Sequence, residues 1–106
     1  MKELNGADLK DAIATGTVLI DLGARWCGPC KMLTPILEDL SKEMPNIMFH
    51  KLDVDDYPEQ ATELSVRSLP ALILFRDGKE VERTIGARPK DGLKKWIEEA
   101  LAKPTA

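Results

Sequence analysis

Cysteine occurs only twice in the 106 residues, and histidine once. Two cysteines are too few for the disulfide framework of a small secreted domain, which spreads more of them along the chain. Cys27, Cys30 and His50 fall short of the roughly four ligands of a structural zinc site, so zinc would need a carboxylate or a second chain. Neither sign of charge dominates: 15 Lys and Arg stand against 18 Asp and Glu, a net charge of −3. A weakly acidic chain is a poor binder of nucleic acid or anionic membrane, and no basic stripe offsets this; Lys94 and Lys95 read as two exposed charges on a helix. No apolar run approaches the ~20 residues of a membrane-spanning helix. The start, Met1-Lys2-Glu3-Leu4-Asn5, has no stretch resembling a secretory signal, so with a native Met1 a cytoplasmic location is expected. Internal repeats, low-complexity segments and linkers are also missing.

What remains is an ordinary globular composition, 43% hydrophobic and 31% charged. The length predicts one domain over residues 1–106, which would bury about two-thirds of its unfolded surface. Asn5 is a cap for a helix beginning near Ala7, with Leu9, Ala12 and Ile13 on one face and Gly16 at its end. Thr17 to Leu22 is a short, nearly continuous apolar run, the pattern of a strand buried on both faces. After a loop from Gly23 to Gly28, a helix is predicted from about Pro29 to Met44, with Leu33, Ile36, Leu37, Leu40 and Met44 at helical spacing. Pro35 inside it predicts a kink. Ile47 to Val54 reads as a strand and Pro58 to Leu64 as a short helix. Ala71 to Arg76 and Glu80 to Ile85 read as antiparallel strands joined at Asp77-Gly78. A last helix from about Pro89 to Ala102 places Leu93, Trp96, Ile97, Ala100 and Leu101 in the core. Early strands alternating with helices, followed by a hairpin, predict an α/β fold with a mixed central sheet and helices on both faces.

The chemistry concentrates in Trp26-Cys27-Gly28-Pro29-Cys30. Cys27 falls at a helix N-terminus, where unpaired N–H groups and the helix dipole favour a thiolate, the attacking form of cysteine. Cys30 lies one turn on, within disulfide reach. Gly28 permits a tight turn, and Pro29 suits the first helical turn. As a staple the pair would do little, since a loop of about four residues stabilises by only ~2 kcal/mol. Inert buried thiols and a static disulfide remain as other readings; a thiol pair that opens and closes repeatedly fits these residues best. Asp21 interrupts an apolar strand. Either it sits at a solvent-facing strand end, or it is a buried carboxylate, costly unless neutral or paired. Lys51 reads as a solvated lysine, His50 as a structural or surface histidine and Lys31 as solvated. Pro70 opens a strand, where proline is tolerated.

Over nearly its whole length the sequence resembles the thioredoxin family. Residues 26 to 31, WCGPCK, match that family's active-site string; Pro35 matches its helix proline and Asp77-Gly78 its hairpin turn. Asp21 with Lys51, Leu69-Pro70, and Gly86 match its buried carboxylate and lysine, its cis-proline segment and its substrate-surface glycine. The resemblance implies a thioredoxin fold, about five strands flanked by four helices. It implies a protein-disulfide reductase with Cys27 as nucleophile, Cys30 as resolving thiol, Asp21 as proton acceptor and Lys51 moderating the Asp21 pKa. Trp26 would be a partly exposed lid, and Pro70 cis. Clients would dock on Trp26, Gly28, Pro29, Leu69, Pro70, Gly86 and Ala87. It implies no bound cofactor or metal, a monomer, and two partner classes: disulfide-containing clients and a thioredoxin reductase that carries the flavin or iron–sulfur group. Use of the same surface as a redox-independent binding module is the alternative. An oxidant or isomerase is a third reading, but Gly28-Pro29 between the cysteines resembles reducing members more. Gly23 departs from the family's usual aromatic residue, with a looser Trp26 and active-site loop expected. Ala71 replaces a usual Thr, and Arg25 adds a positive charge beside Trp26.

Overall fold

A computed structural model describes residues 1–104. Along the chain run β1 (Lys2–Glu3), α1 (Leu9–Ile13), β2 (Thr17–Gly23), α2 (Gly28–Glu43), β3 (Ile47–Asp53), α3 (Pro58–Glu63), β4 (Ala71–Arg76), β5 (Lys79–Ile85) and α4 (Lys90–Ala102). The five strands form one sheet in the order β1-β3-β2-β4-β5. β1, β3 and β2 are parallel, as crossover helices require, while β4 runs antiparallel to both of its neighbours, β2 and β5. The apolar run of β2 therefore lies at the centre of the sheet, covered on both faces.

Side-chain alternation divides the core into two layers. Leu19, Phe49, Leu72 and Leu74 face Leu33, Leu37 and Leu40 of α2 and Leu93, Ile97 and Ala100 of α4. Val18, Ile20, Leu22, Leu52, Ile73 and Phe75 face the other way, toward Leu9 of α1 and Ala61 of α3. The mixed α/β architecture matches the sequence reading. Asp77 and Gly78 both have positive φ, 50° and 84°, as a two-residue hairpin turn of this hand requires. The hairpin is tied to the start of β2: Gly16 N–H donates to Asp77 Oδ1 at 2.8 Å, and Asp77 N–H to the Gly16 carbonyl at 2.9 Å.

Three details differ from expectation. The first helix opens as a 3-10 turn over Gly6–Asp8, capped by Asn5, whose side chain accepts from Ala7 N–H. Gly6 backs onto the Tyr57 ring so closely that a Cβ there would lie 2.5 Å from it. Trp96 is half-buried at the edge of the α2/α4 layer, not inside it. Strand β3 ends at Asp53, because its Oδ1 accepts from Asp55 N–H (2.8 Å) and Asp56 N–H (3.1 Å), turning the chain toward α3.

Candidate active site

Both cysteines lie where β2 hands over to α2. Cys27 is the N-cap of α2, with Pro29 in its first turn, and its Sγ accepts from Cys30 N–H at 3.2 Å. An N-cap normally uses a side-chain oxygen for this; here sulfur occupies the positive end of a 16-residue helix. The two sulfurs are bonded, with Cα atoms 5.2 Å apart. Both cysteines are largely buried, with Ala24, Val54 and Leu69 against them. Cys27 nonetheless opens onto a groove of about 380 Å³ lined also by Trp26, Val54, Val66, Arg67 and Leu69. Cys30, 2% exposed, faces inward.

Asp21 lies two residues before Gly23 on β2, on the strand face against which Cys30 packs. It is fully buried, on the face of β2 between Leu19 and Gly23, and neither carboxylate oxygen has a protein hydrogen-bond partner. The solvent-facing strand end is thereby excluded. Desolvation raises its pKa from the ordinary 3.8 to about 6, against an opposing pull from Lys51. Lys51 stands directly across from Asp21 on β3, half-buried rather than solvated. Its ammonium donates to Thr34 Oγ1 at 3.2 Å rather than pairing with Asp21, and Thr34 Oγ1 donates to the Cys30 carbonyl at 3.3 Å.

Gly23 does not free the backbone. It is paired in the sheet with Asp53, and its carbonyl accepts from Val54 N–H at 3.0 Å. A Cβ at this position would stand 3.2 Å from Cys30 Cβ and 3.3 Å from its Sγ, so Cys30 packs directly on the strand. The position is thus a paired strand residue with Cys30 packed against it. Trp26 is 70% exposed, yet its indole N–H donates to Asp55 Oδ2 at 2.8 Å. Arg25 is not a loose charge either. It donates to both oxygens of Asp56, at 2.7 and 3.3 Å, and lies 3.6 Å from Asp53. The Leu69–Pro70 bond is cis, and the Pro70 carbonyl accepts from Gly86 N–H at 2.8 Å, joining β4 to the end of β5. Pro70 and Ala71 are buried, Leu69 and Gly86 half-buried, and Gly28, Pro29 and Ala87 exposed.

This geometry can be set against known proteins. The family model described as Thioredoxin matches residues 1–99. The chain belongs to the thioredoxin family. It is 58% identical over 87 residues to a thioredoxin of Chlamydia trachomatis, covering 82% of this chain and 85% of that protein. It is 41% identical to a thioredoxin of Staphylococcus saprophyticus, with 93% and 96% covered. Among solved structures it is similar to oxidized mitochondrial thioredoxin 3 of Saccharomyces cerevisiae, at 36% identity, a TM-score of 0.85, and 93% and 94% of the two chains covered. Like its thioredoxin relatives it is a thiol–disulfide oxidoreductase, and its redox pair is Cys27–Cys30.

Beyond the thioredoxin string, the structure adds residues the sequence reading passed over. Thr34, four residues after Cys30, links that cysteine's carbonyl to Lys51; the helical interval alone was the available signal. Asp53, Asp55 and Asp56 anchor Trp26 and Arg25, and three acids within four residues before a proline-initiated helix mark such a turn. Val54, Val66 and Arg67 complete the groove.

Proposed function

We propose that the chain reduces disulfides in client proteins by two successive exchanges. The Cys27 thiolate attacks one client sulfur; a Cys27–client mixed disulfide forms and the other client sulfur leaves as thiolate. The Cys30 thiol loses its proton to Asp21 and attacks Cys27 Sγ, so the mixed disulfide breaks and the second client thiolate departs. The client gains two electrons and two protons; the chain leaves with Cys27 bonded to Cys30. A thioredoxin reductase, carrying its own cofactor, returns the pair to dithiol. Trp26, Leu69, Pro70, Gly86 and Ala87, with Gly28 and Pro29, form the docking face, where an extended client segment pairs with backbone. The protein acts as a monomeric single domain in the cytoplasm, without nucleic acid or membrane.

One observation supports this assignment above all. One sulfur sits at a helix N-terminus and opens onto a groove, while its partner packs at Gly23, two residues along the same strand face from a buried carboxylate without a hydrogen-bond partner. The first is placed to attack and the second to be deprotonated from within. The purified protein is expected to reduce insulin disulfides catalytically with a dithiol donor. Cys30→Ser is expected to accumulate a mixed disulfide on Cys27. A Cys30→Ser protein that releases clients as readily as the parent would overturn the order of attack.

A further inference from the structure

In the segments that carry the site, Arg25, Lys31, Arg67 and Arg88 stand against Asp53, Asp55 and Asp56, whereas the whole molecule is acidic. Overall there are 18 acidic and 15 basic side chains. Near the cysteines, however, the three aspartates of the β3–α3 loop each have a local donor, and Arg25 offsets one of their three charges. Asp55 accepts from Trp26 and Asp56 from Arg25, while Asp53 accepts from two backbone N–H groups and lies beside Arg25. Three exposed basic side chains, Lys31, Arg67 and Arg88, have no ion-pair partner among the described residues. They come from three segments, each next to a site residue in sequence. Lys31 follows Cys30 on α2, and Arg67 lines the groove with Cys27 and Leu69. Arg88 follows Gly86-Ala87, the stretch fastened to the Pro70 carbonyl. Asp91, three residues beyond Arg88, makes no ion pair with it.

We propose that this mouth selects acidic clients: the segment bearing the disulfide carries Asp or Glu close to the reacting sulfurs, and Lys31, Arg67 and Arg88 attract it. The inference rests on the exchange reading above and adds a substrate class to it. Exposed Trp26, Met32 and Ile85 offer apolar contact that does not discriminate by charge, so discrimination falls to the basic groups. Their effect is long-range attraction during encounter, which raises association rates and weakens with salt.

Three synthetic peptides test this, identical except that Glu, Gln or Lys flanks a single internal disulfide. Each kcat/KM is divided by the rate at which a small neutral dithiol reduces the same peptide, which removes differences in the peptides' own reactivity. At low salt the Glu peptide is expected to exceed the Lys peptide by about tenfold, the low end of electrostatic rate gains. In 1 M salt, where screening acts over about 3 Å, the preference is expected to vanish. The double variant Arg67→Glu, Arg88→Glu is expected to reverse the order. Equal values for the three peptides, a preference that survives 1 M salt, or an unchanged order in the double variant overturns the acidic-client inference alone. Failure of the parent to reduce any of the peptides overturns the exchange reading, and this inference with it.

Discussion

At the residue scale the decisive group is Asp21. Its two oxygens have no protein hydrogen-bond partner, and burial pushes its pKa up to about 6. A carboxylate in that range is basic enough to take a thiol proton near neutrality and is still ionised there. Asp21→Asn keeps the shape and removes the base. Resolution of the mixed disulfide at pH 7 is expected to slow by roughly a hundredfold, the low end of general-base contributions, while attack by Cys27 is little changed. Stopped-flow measurement of the two steps separates them; equal slowing of both would remove Asp21 from the second step. Arg25 supplies a second prediction. Arg25→Ala frees Asp56 and removes the cation beside buried Asp53 but leaves the Trp26–Asp55 bond, and the arginine itself is largely exposed. Only a small stability loss is expected in urea unfolding, because solvent screens an exposed arginine's pairs.

At the element scale the loop from β3 to α3 is the support of the site. Asp53 is 4% exposed; Oδ1 holds two backbone N–H groups and Oδ2 faces Arg25. Asp53→Ala leaves those donors without their acceptor, and a loss of about 2 kcal/mol is expected, the cost of an unmade buried hydrogen bond. Asp55 then loses its fixed position, so the fluorescence of Trp26 is expected to change as well. Asp53→Asn keeps an acceptor oxygen and is expected to recover most of the stability. No recovery would assign the effect to charge instead of to the turn. On the opposite layer, Leu37 of α2 is fully buried among Leu33, Leu40 and the sheet. Leu37→Ala is expected to cost about 2–5 kcal/mol, as other buried leucines do. Because α2 carries both thiols, that loss also loosens their setting.

At the scale of the whole molecule, stability depends on pH through several groups of opposite sign. The raised pKa of Asp21 means that the folded state holds its proton more tightly than the unfolded chain. Its penalty is absent below pH 3.8, grows as pH rises, and is complete above about 6. His50 acts in the other direction. Burial lowers its pKa, so folding is disfavoured as pH falls and the unfolded imidazole takes up a proton. Glu43, bonded to Lys90, and Glu82, bonded to Lys103, have lowered pKa values and lose their contribution in acid. The parent's curve is therefore a sum, whereas its difference from Asp21→Asn isolates one group. That difference is expected to widen in favour of the variant between about pH 4 and 6 and then stay flat, at up to about 3 kcal/mol for two pKa units. A constant difference across that window would show that Asp21 is not destabilised by its charge.

Much of this protein was legible locally. The β2 run, the helix-facing leucines of α2, the Asp77-Gly78 hairpin and the cysteine pair are set by periodicity, turn chemistry and spacing over a few residues, and the structure realises them. What only the tertiary structure decided concerns groups separated by tens of residues. Asp21 as a strand residue was consistent with solvent or core until the fold buried it at the centre of the sheet. Gly23 showed no partner in the sequence, and the fold packs Cys30 against it. Trp26 and Arg25 found their carboxylates about thirty positions away. The physical reason is that backbone preferences act over one or two turns, whereas burial, pKa and ion pairing depend on which distant surfaces meet. Those surfaces are chosen by the whole hydrophobic pattern at once.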